Sequence, residues 1–324
     1  IQINSNMVNT RLRKIVDMKK RLCIVIVNYK TPELSVDCMK SLYSQIDPQK
    51  DAVIIVDNCS GDDSVGIIER EIEKNGLSGV ARVIPAPHNN GFSYGNNIGI
   101  KAMDAEFYLL TNSDTVFRRD SVRELLHAAE KYPTAIIGPR LEFPDEEAQV
   151  SCFNYSTPVS ELINSAETGV ITRCLKKYNV PLPVSSESIR PDWISFACVL
   201  IPEAIVNRVG LMDEGYFMYY EDIDFCQRAR RAGFDIIYWP ASHVIHLQGK
   251  SSDVNETIIQ EKRLPLFYYK SRSRYFIKFF GIKGFVMANI FWISGRIISL
   301  CKELVLARRK KSACLFQFID IWKK

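Results

Sequence analysis

The sequence predicts an α/β fold built on a parallel sheet that is flanked by helices. Short apolar runs with few polar residues recur in the first third of the chain, as is typical of strands buried on both faces. Each run ends in a polar loop, and the first ones lead into segments with the apolar spacing of helices. With 324 residues and 47% hydrophobic content, the chain can bury the core of one large domain or two smaller ones.

The first strand-turn-helix unit begins with residues 22–27, LCIVIV. The polar residues NYKT follow, and Thr31 can cap a helix whose first turn holds Pro32. Apolar residues then recur at helical spacing. A second unit repeats the pattern, with a strand at residues 52–56 and a polar turn that starts at Asp57. A carboxylate at the end of a parallel strand faces the ligand crevice, so Asp57 is a candidate ligand contact.

The third and fourth strands also end in polar loops. After the strand at residues 80–84, residues 88–99 read HNNGFSYGNNIG, with three Gly and four Asn. These residues let the backbone approach a ligand closely and supply amide donors, although an ordinary turn explains them as well. The loop matches neither a Walker phosphate loop nor GxGxxG. The strand at residues 107–110 runs into Asp114, which can meet a metal-bound phosphate there.

A cluster of acids begins a predicted helix within residues 215–233, GYFMYYEDIDFCQRARRAG. Asp224 can pair with Arg228 one turn later, and Glu221 shares a face with Asp224. Asp222 is then the acid left free for chemistry. The alternative is that all three carboxylates merely complement the helix dipole.

The order of these segments resembles the family 2 glycosyltransferases with a GT-A fold, particularly bacterial rhamnosyltransferases that build cell-surface polysaccharides. The resemblance covers most of residues 22–252 and rests on seven motifs, IVIVNYKTPEL, VDNCSGDDS, NNGFSYGNNIG, LLTNSD, DWISFACVLIP, GYFMYYEDIDFCQRARRAG and HVIHLQGKSS. It implies a Rossmann-like, mixed and mainly parallel sheet in a catalytic domain at residues 21–255. The nucleotide-sugar half is then residues 21–120 and the acceptor half residues 121–255, after an N-terminal extension at residues 1–20.

The resemblance implies an inverting glycosyltransferase that uses a dTDP- or UDP-sugar. Asp57 can accept the imide N–H of uracil or thymine, which cytosine lacks. The nucleotide-sugar site is expected to comprise Asn28, Tyr29, Thr31, Asp57, Asn58, Asn89, Gly91, Asn97, Asn112, Lys250 and Ser251. Asn112, Ser113 and Asp114 stand where the family usually has Asn-Pro-Asp or Asp-x-Asp, which keeps the second, metal-facing acid.

The remaining site residues also follow from the resemblance. Asp222 is expected to be the proton acceptor, with Glu221 as its catalytic neighbour. Asp114 and His246 are expected to bind Mg²⁺ or Mn²⁺, while His243 is assigned to structure. Trp193 and Tyr220 are acceptor-side candidates, and for Trp193 core packing is an equally good explanation.

Residues 256–324 predict a basic, aromatic-rich helical extension that associates with a membrane. Fifteen of the 42 Lys and Arg residues but only two of the 37 acids lie at residues 262–324. Aromatic and basic residues interleave at residues 268–280, as in interfacial segments. The apolar stretches that follow argue against a nucleic-acid partner. The uncharged run at residues 284–295 is shorter than the roughly 18 to 20 residues that a span needs, and packing on the catalytic domain remains the alternative.

The nine cysteines, without a CxxC motif, favour a reducing compartment. We expect a cytoplasmic protein, peripheral on the inner face of the cell membrane, with a lipid-linked saccharide as acceptor. Residues 1–17 are expected to be dispensable, and a homodimer is possible. The alternative function is a catalytically weak GT-A domain that serves as a binding or scaffold subunit of a polysaccharide assembly complex.

Overall fold

The computed structural model describes residues 19–247, 263–305 and 317–324, which contain ten strands. The strands are β1 (Lys20–Asn28), β2 (Asp51–Asp57), β3 (Ala81–Pro85), β4 (Ala105–Asn112), β5 (Thr115–Phe117), β6 (Ala135–Glu142), β7 (Cys152–Phe153), β8 (Trp193–Ile194), β9 (Cys198–Pro202) and β10 (Asp235–His246). Lys250, Ser251 and the N-terminal extension before residue 19 lie outside the described residues.

Ten α-helices lie in the described parts of the chain. They are α1 (Pro32–Tyr43), α2 (Ser64–Lys74), α3 (Phe92–Lys101), α4 (Ser121–Lys131), α5 (Pro158–Ala166), α6 (Gly169–Cys174), α7 (Glu203–Val209), α8 (Glu221–Arg231), α9 (Leu266–Val305) and α10 (Gln317–Asp320). The predicted helix at Thr31-Pro32 begins at Pro32, whose fixed φ and missing N–H suit the first turn.

Eight strands form one mixed sheet in the order β3-β2-β1-β4-β9-β6-β10-β5, and β7 pairs with β8. The strands β3, β2, β1 and β4 are parallel to one another, and so are β6 and β10. Strand β9 runs antiparallel between β4 and β6 and joins the two parallel parts. The predicted mixed, mainly parallel sheet is therefore confirmed.

Both faces of the sheet are buried, as the continuous apolar runs predict. On β1, Leu22, Ile24 and Ile26 belong to a core that also contains residues of α1 and α4. Cys23 and Val25 enter a second core, which contains residues of α8 and α9. Successive side chains of the strand point to opposite faces of the sheet, so β1 contributes to both cores.

The strand register gathers the predicted polar residues at one edge of the sheet. Asn28 at the end of β1 lies opposite Asp57 at the end of β2. Asn112 at the end of β4 lies opposite Val27, and His246 at the end of β10 lies opposite Thr115. Carboxyl ends of neighbouring parallel strands meet in a crevice, so this edge is the candidate site.

Helix α9 packs against the rest of the described fold, chiefly on α5, and is interrupted at Gly281, where φ is 68°. A Cβ at Gly295 would lie 2.6 Å from Leu162 O, so the two helices approach closely there. Arg272 of α9 forms a buried ion pair with Glu161 of α5 at 2.6 Å. The structure thus contains the packing of this segment on the rest of the fold, which the sequence offered as the alternative to membrane association.

By length and composition alone α9 could also cross a membrane, a test that the core helix of a soluble protein passes as well. Only 28% of its most apolar 18-residue window is buried in the structure. The large apolar side chains that α9 leaves exposed are Leu266, Ile282, Met287, Ile290, Ile297, Ile298, Leu304 and Val305. An apolar surface therefore accompanies the packed face.

Candidate active site

The first wall of the site is a buried polar network at the ends of β1 and β2. Asn28 Nδ2 donates to Asp57 Oδ1 at 2.7 Å, and Ser60 donates to both carboxylate oxygens, from its hydroxyl at 2.5 Å and its N–H at 3.1 Å. Asn28 Oδ1 accepts from Ser35 Oγ at 2.8 Å and more weakly from Thr31. Asp57 is therefore held rigidly, while Tyr29 beside it is 41% exposed and can contact a base.

The Gly and Asn loop before α3 is shaped by contact with the protein's own backbone. Gly91 has φ of 90°, and a Cβ there would lie 1.9 Å from Phe217 O, to which Phe92 N–H donates at 2.8 Å. Asn58 Nδ2 donates to Asn89 Oδ1 and to Gly91 O, each at 3.0 Å. The close approach expected toward a ligand is made here to the loop that precedes α8.

Asn97 does not offer a free amide to a nucleotide. Its Nδ2 donates to Met212 O at 2.9 Å and to Glu214 Oε1 at 2.8 Å, while its Oδ1 accepts from Met212 N at 3.0 Å. The side chain is only 1% exposed. The expected nucleotide contact is corrected to a bridge between α3 and the segment before α8, because both ends of the amide are already bonded.

Asp114 and His246 come together beside this network, although 132 positions separate them. Asp114 follows β4 and is 1% exposed, and among the residues that the structure describes none donates a hydrogen bond to either of its carboxylate oxygens. His246 Nε2 lies 3.6 Å from Asp114 Oδ1. Burial lowers the pKa of His246, which the negative charge of Asp114 opposes.

The hydrogen bonds of His246 fix its tautomer. Its Nδ1 lies 3.1 Å from Gln149 Oε1, while Gln149 Nε2 donates to His246 O at 2.7 Å. Because a carbonyl oxygen only accepts, Nδ1 must carry the proton, which leaves Nε2 with a lone pair directed at Asp114. A hydrogen bond of this kind, made by the other ring nitrogen, orients the imidazoles that bind metals in proteins.

The pair fits a divalent cation that is shared with a ligand. Asp114 and His246 supply two donor atoms, and no group of three or more His, Cys, Asp or Glu able to hold a metal occurs among residues 19–247, 263–305 and 317–324. Mg²⁺ and Mn²⁺ complete their octahedra with water and phosphate oxygens, so two protein ligands suffice in a diphosphate site. The unpartnered, buried Asp114 carboxylate is the observation that supports this fit.

The first turn of α8 contains two carboxyl groups, those of Glu221 and Asp222, whose pKa values are raised. Burial raises the pKa of Asp222 to about 7, against the hydrogen bonds from the N–H groups of Ile223 and Phe196. Burial and then the charge of Asp222 raise the pKa of Glu221 well above its ordinary value, and Glu221 Oε2 has no hydrogen-bond partner in the described part of the chain. At neutral pH the geometry thus favours a proton on Glu221 and an ionisable Asp222, as an acid and base pair requires.

Asp224 is neutralised, as its spacing to Arg228 predicts. Arg228 Nε donates to Asp224 Oδ2 at 2.6 Å, and the guanidinium also reaches Val209 O and Leu211 O. Lys278 of α9 lies 2.5 Å from the other oxygen, Oδ1. The pairing with Arg228 is confirmed, whereas sequence reasoning missed Lys278, which lies 54 positions away and leaves no local signal.

The loop before α8 enters the site through strained backbone. Tyr219 and Tyr220 both have φ of 70°, a conformation that costs non-glycine residues roughly 1–3 kcal/mol each. The Tyr220 ring packs at 5.4 Å from Tyr275 and 6.1 Å from Tyr268, and it is only 9% exposed. The expected acceptor contact at Tyr220 is corrected to a contact with α9, because its ring is enclosed by aromatic side chains.

Trp193 also belongs to the core. Its indole stacks on Phe153 with ring centroids 4.1 Å apart, and its Nε1 donates to Asn154 O at 2.9 Å. With 9% of its surface exposed, it presents no open face to a sugar. The structure thus selects the packing explanation that the sequence left open.

The structure also shows the surroundings of three further residues that the sequence singled out, Thr31, Asn112 and His243. Thr31 Oγ1 lies 3.0 Å from Ser113 Oγ, which links the β1 and β4 loops. Asn112 is partly exposed at the end of β4. His243 Nδ1 lies 3.0 Å from Glu142, which two arginines also contact, so this histidine is part of a structural ion cluster. The contacts of Ser113 with Thr31 and of Gln149 with His246 were not anticipated, because single Ser and Gln residues do not reveal their partners in one sequence.

Comparison with known proteins places these motifs in a family. A family model described as "Glycosyl transferase family 2" matches residues 23–161. The chain is 30% identical over 234 residues to the low-salt glycan biosynthesis hexosyltransferase Agl10 of Haloferax volcanii, covering 70% of this chain and 67% of that protein. It is 27% identical over 188 residues to the N-acetylglucosaminyl-diphospho-decaprenol L-rhamnosyltransferase of Mycobacterium tuberculosis, covering 53% of this chain and 60% of that enzyme. It is 31% identical over 167 residues to rhamnosyltransferase WbbL of Escherichia coli, covering 48% and 60%.

Solved structures share the fold at low sequence identity. TarS 1–349 of S. aureus superposes with a TM-score of 0.55 at 14% identity, covering 93% of this chain and 78% of that one. The mannosyltransferase PcManGT of Pyrobaculum calidifontis, solved with GDP-Man and Mn²⁺, gives 0.52 at 11% identity and covers 97% and 90%. GalNAc-T7, solved with UDP, GalNAc and Mn²⁺, gives 0.55 at 15% identity and covers 80% and 52%.

Proposed function

The chain belongs to the family 2 glycosyltransferases, and from that premise we propose that it is a metal-dependent inverting enzyme. It moves rhamnose or another hexose from a dTDP- or UDP-sugar to a lipid-linked saccharide in cell-surface polysaccharide synthesis. The relatives include a hexosyltransferase and rhamnosyltransferases, one of which is named for a diphospho-decaprenol acceptor. These names support the class of donor sugar and acceptor.

The observation that carries the proposal is the buried Asp114 carboxylate, which receives no hydrogen bond from the described residues and faces the lone pair of His246. A buried, unpaired carboxylate is costly, so its persistence next to the nucleotide crevice supports a cation site. A bound Mg²⁺ or Mn²⁺ would neutralise charge on the diphosphate of the donor. A scaffold subunit that binds no nucleotide would have no use for such a site.

The protein residues divide the remaining work between them. Asp57 accepts the imide N–H of the base, and the partly exposed Tyr29, Asn89 and Asn112 line the crevice that takes the nucleotide. Asp222 removes the proton from the acceptor hydroxyl as the oxygen attacks the anomeric carbon. The bond from that carbon to the diphosphate breaks on the opposite face, which inverts the configuration.

Glu221 supports this assignment by staying protonated. Two adjacent carboxylates in a closed site do not both ionise near neutral pH, because each charge disfavours the other. Glu221 therefore keeps the charge on Asp222, where the acceptor proton is needed. An isosteric amide at Glu221 should preserve most of this effect.

The lipid-linked acceptor calls for contact with a membrane, and α9 offers the surface for it. Its second half exposes Ile290, Ile297 and Leu304, and basic residues are concentrated at the C-terminal end of the chain. Apolar and basic residues together favour an anionic bilayer surface. We place the enzyme on the inner face of the cell membrane. Ile290→Asp should reduce sedimentation with anionic liposomes, whereas Val170→Asp on α6, at a position that is 68% exposed against 53% for Ile290, should not.

The test of the proposed function is a transfer assay with a panel of dTDP- and UDP-sugars and a polyprenyl-diphosphate saccharide, with Mg²⁺, Mn²⁺ or EDTA. We expect release of nucleoside diphosphate and an extended lipid product only with a divalent cation. Asp222→Asn should form both products about 10²- to 10⁴-fold more slowly. A protein that binds donor and acceptor tightly but transfers no sugar with any member of the panel would instead be a binding or scaffold subunit.

A further inference from the structure

Lys278 of α9 contacts the chain on both sides of Asp222, the proposed base. We name residues 213–220, which precede the α8 helix that carries Asp222, the base loop. Lys278 Nζ lies 2.7 Å from Asp213 Oδ2 at the start of the base loop. The same ammonium lies 2.5 Å from Asp224 Oδ1 in the first turn of α8. Asp222 therefore sits between two points that Lys278 ties together.

Further contacts hold the start of the base loop against α9. Arg274 donates to both oxygens of Asp213, at 2.8 Å and 3.0 Å from Nη2. Burial would raise the pKa of Asp213, but the hydrogen bonds from Lys278 and Arg274 outweigh it and lower the pKa to about 2. A Cβ at Gly215 would lie 2.2 Å from Arg274 Cζ, so the chain passes directly over the guanidinium.

The rest of the base loop is held by α9 as well. Ser271 Oγ donates to Met218 O at 3.0 Å. The Phe267 ring lies 5.1 Å from that of Phe217 and 6.5 Å from that of Tyr219. The strained φ values of Tyr219 and Tyr220 thus occur where the loop is enclosed by α9. Strain of this kind persists only where surrounding contacts over-determine the backbone.

The opposite side of the base loop contacts the nucleotide half of the domain. Phe92 N–H donates to Phe217 O, and Asn97 bonds to Met212 and Glu214. The loop therefore lies between the donor crevice and α9. Its position relative to the donor is fixed from one side by α3 and from the other by the α9 cations.

We propose that Lys278 is a positioning residue that sets the placement of Asp222 against the acceptor hydroxyl, an inference that rests on the proposed function. The side chain of Lys278 is 32% exposed, and Asp224 is also paired with Arg228, at 2.6 Å. Loss of the ammonium should therefore loosen the start of the base loop, which Arg274 still contacts, without unfolding α8. A misplacement of about 1 Å at a catalytic group can cost on the order of 10²-fold in rate.

The experiment compares Lys278→Met with Lys270→Met in the full chain. Lys270 lies two turns earlier on α9, is exposed, and is not among the residues that contact the base loop, so its variant is matched in charge and chemistry. We expect Lys278→Met to lower kcat by about 10- to 100-fold with the donor KM within about twofold. Lys278→Arg should restore most of kcat, and Lys270→Met should keep it.

A second measurement, hydrogen exchange of the backbone amides at residues 213–224, requires no activity. Lys278→Met and Asp213→Asn should both accelerate exchange there, and Lys270→Met should not. Unchanged exchange and unchanged kcat in Lys278→Met would overturn the proposal. An equal loss of kcat in Lys270→Met would also overturn it, since net charge of the helix would then be the cause. If the wild-type chain transfers no sugar, the proposed function fails, and that result is distinct from either outcome.

Discussion

The replacement Asp222→Asn removes the proposed proton acceptor while it preserves side-chain shape. Ile223 N–H donates to Asp222 Oδ1 at 2.8 Å, and an amide oxygen can accept the same hydrogen bond. The start of α8 should therefore remain in place. Because general base catalysis contributes about 10²- to 10⁴-fold, turnover should fall by that factor. The donor KM should barely change, since Asp222 does not contact the nucleotide in the proposed mechanism.

The pH dependence of the wild-type enzyme should report the same carboxyl group. Burial raises the pKa of Asp222 to about 7, and only the ionised form accepts a proton. The rate should therefore increase as pH rises through about 7, with an apparent value that belongs to the coupled Asp222 and Glu221 pair. The residual activity of Asp222→Asn should lack this increase.

The raised pKa also gives a prediction for stability. An Asp carboxyl ionises near 3.8 in the unfolded chain and near 7 in the folded one, so the folded state binds more protons between these values. Stability from this group is present at low pH and is lost as pH rises through that window. Because an Asn side chain does not ionise, Asp222→Asn avoids this loss of stability, and the variant should be more stable than the wild type at about pH 8. At 1.36 kcal/mol per pKa unit the gain is at most about 4 kcal/mol, and less because Asp222 is partly exposed and screened.

Turnover is measured by steady-state transfer kinetics from about pH 5.5 to 8.5, and stability by urea unfolding at about pH 5 and pH 8. These conditions follow from the range of about pH 4 to 7 that lies between the unfolded and folded pKa values of Asp222. Asp37→Asn, an exposed change on α1, is the control and should match the wild type in both assays. Glu221→Gln should lose less turnover than Asp222→Asn, because the amide resembles the protonated acid. Near-native turnover in Asp222→Asn together with an inactive Glu221→Gln would show that the base is assigned to the wrong residue.

Three other changes test the donor side and the framework. Asp114→Ala should abolish Mn²⁺-dependent donor binding in calorimetry, because the diphosphate loses its cation bridge; unchanged metal-dependent affinity would remove Asp114 from that role. Gly91→Ala should lower the unfolding free energy by at least about 2 kcal/mol, since a Cβ would lie 1.9 Å from Phe217 O at φ of 90°; an unaltered melting temperature contradicts this. Arg272→Met should cost about 3–5 kcal/mol in urea unfolding by leaving Glu161 buried and unpaired, and adding Glu161→Leu should recover part of it.

The sequence alone determined which residues stand at the ends of the buried strands. Continuous apolar runs identify strands that are covered on both faces, so the polar residues after them, such as Asp57 and Asp114, must emerge at the crevice. The pairing of Asp224 with Arg228 was equally predictable, because residues four apart on a helix are neighbours whatever the surroundings. These are local relations of chain spacing, and they hold before the tertiary fold is known.

Only the tertiary structure decided what those residues contact across the fold. It inserted the antiparallel β9 into the sheet, enclosed Trp193 and Tyr220 in the core, and brought Gly91 into close contact with Phe217. It also brought Lys278 to Asp213 and Asp224. Such partners come from segments far apart in sequence, and burial, hydrogen-bond completion and charge pairing depend on the distances that packing sets. A residue's type and spacing fix what it can bond to, but the fold determines which partner it meets.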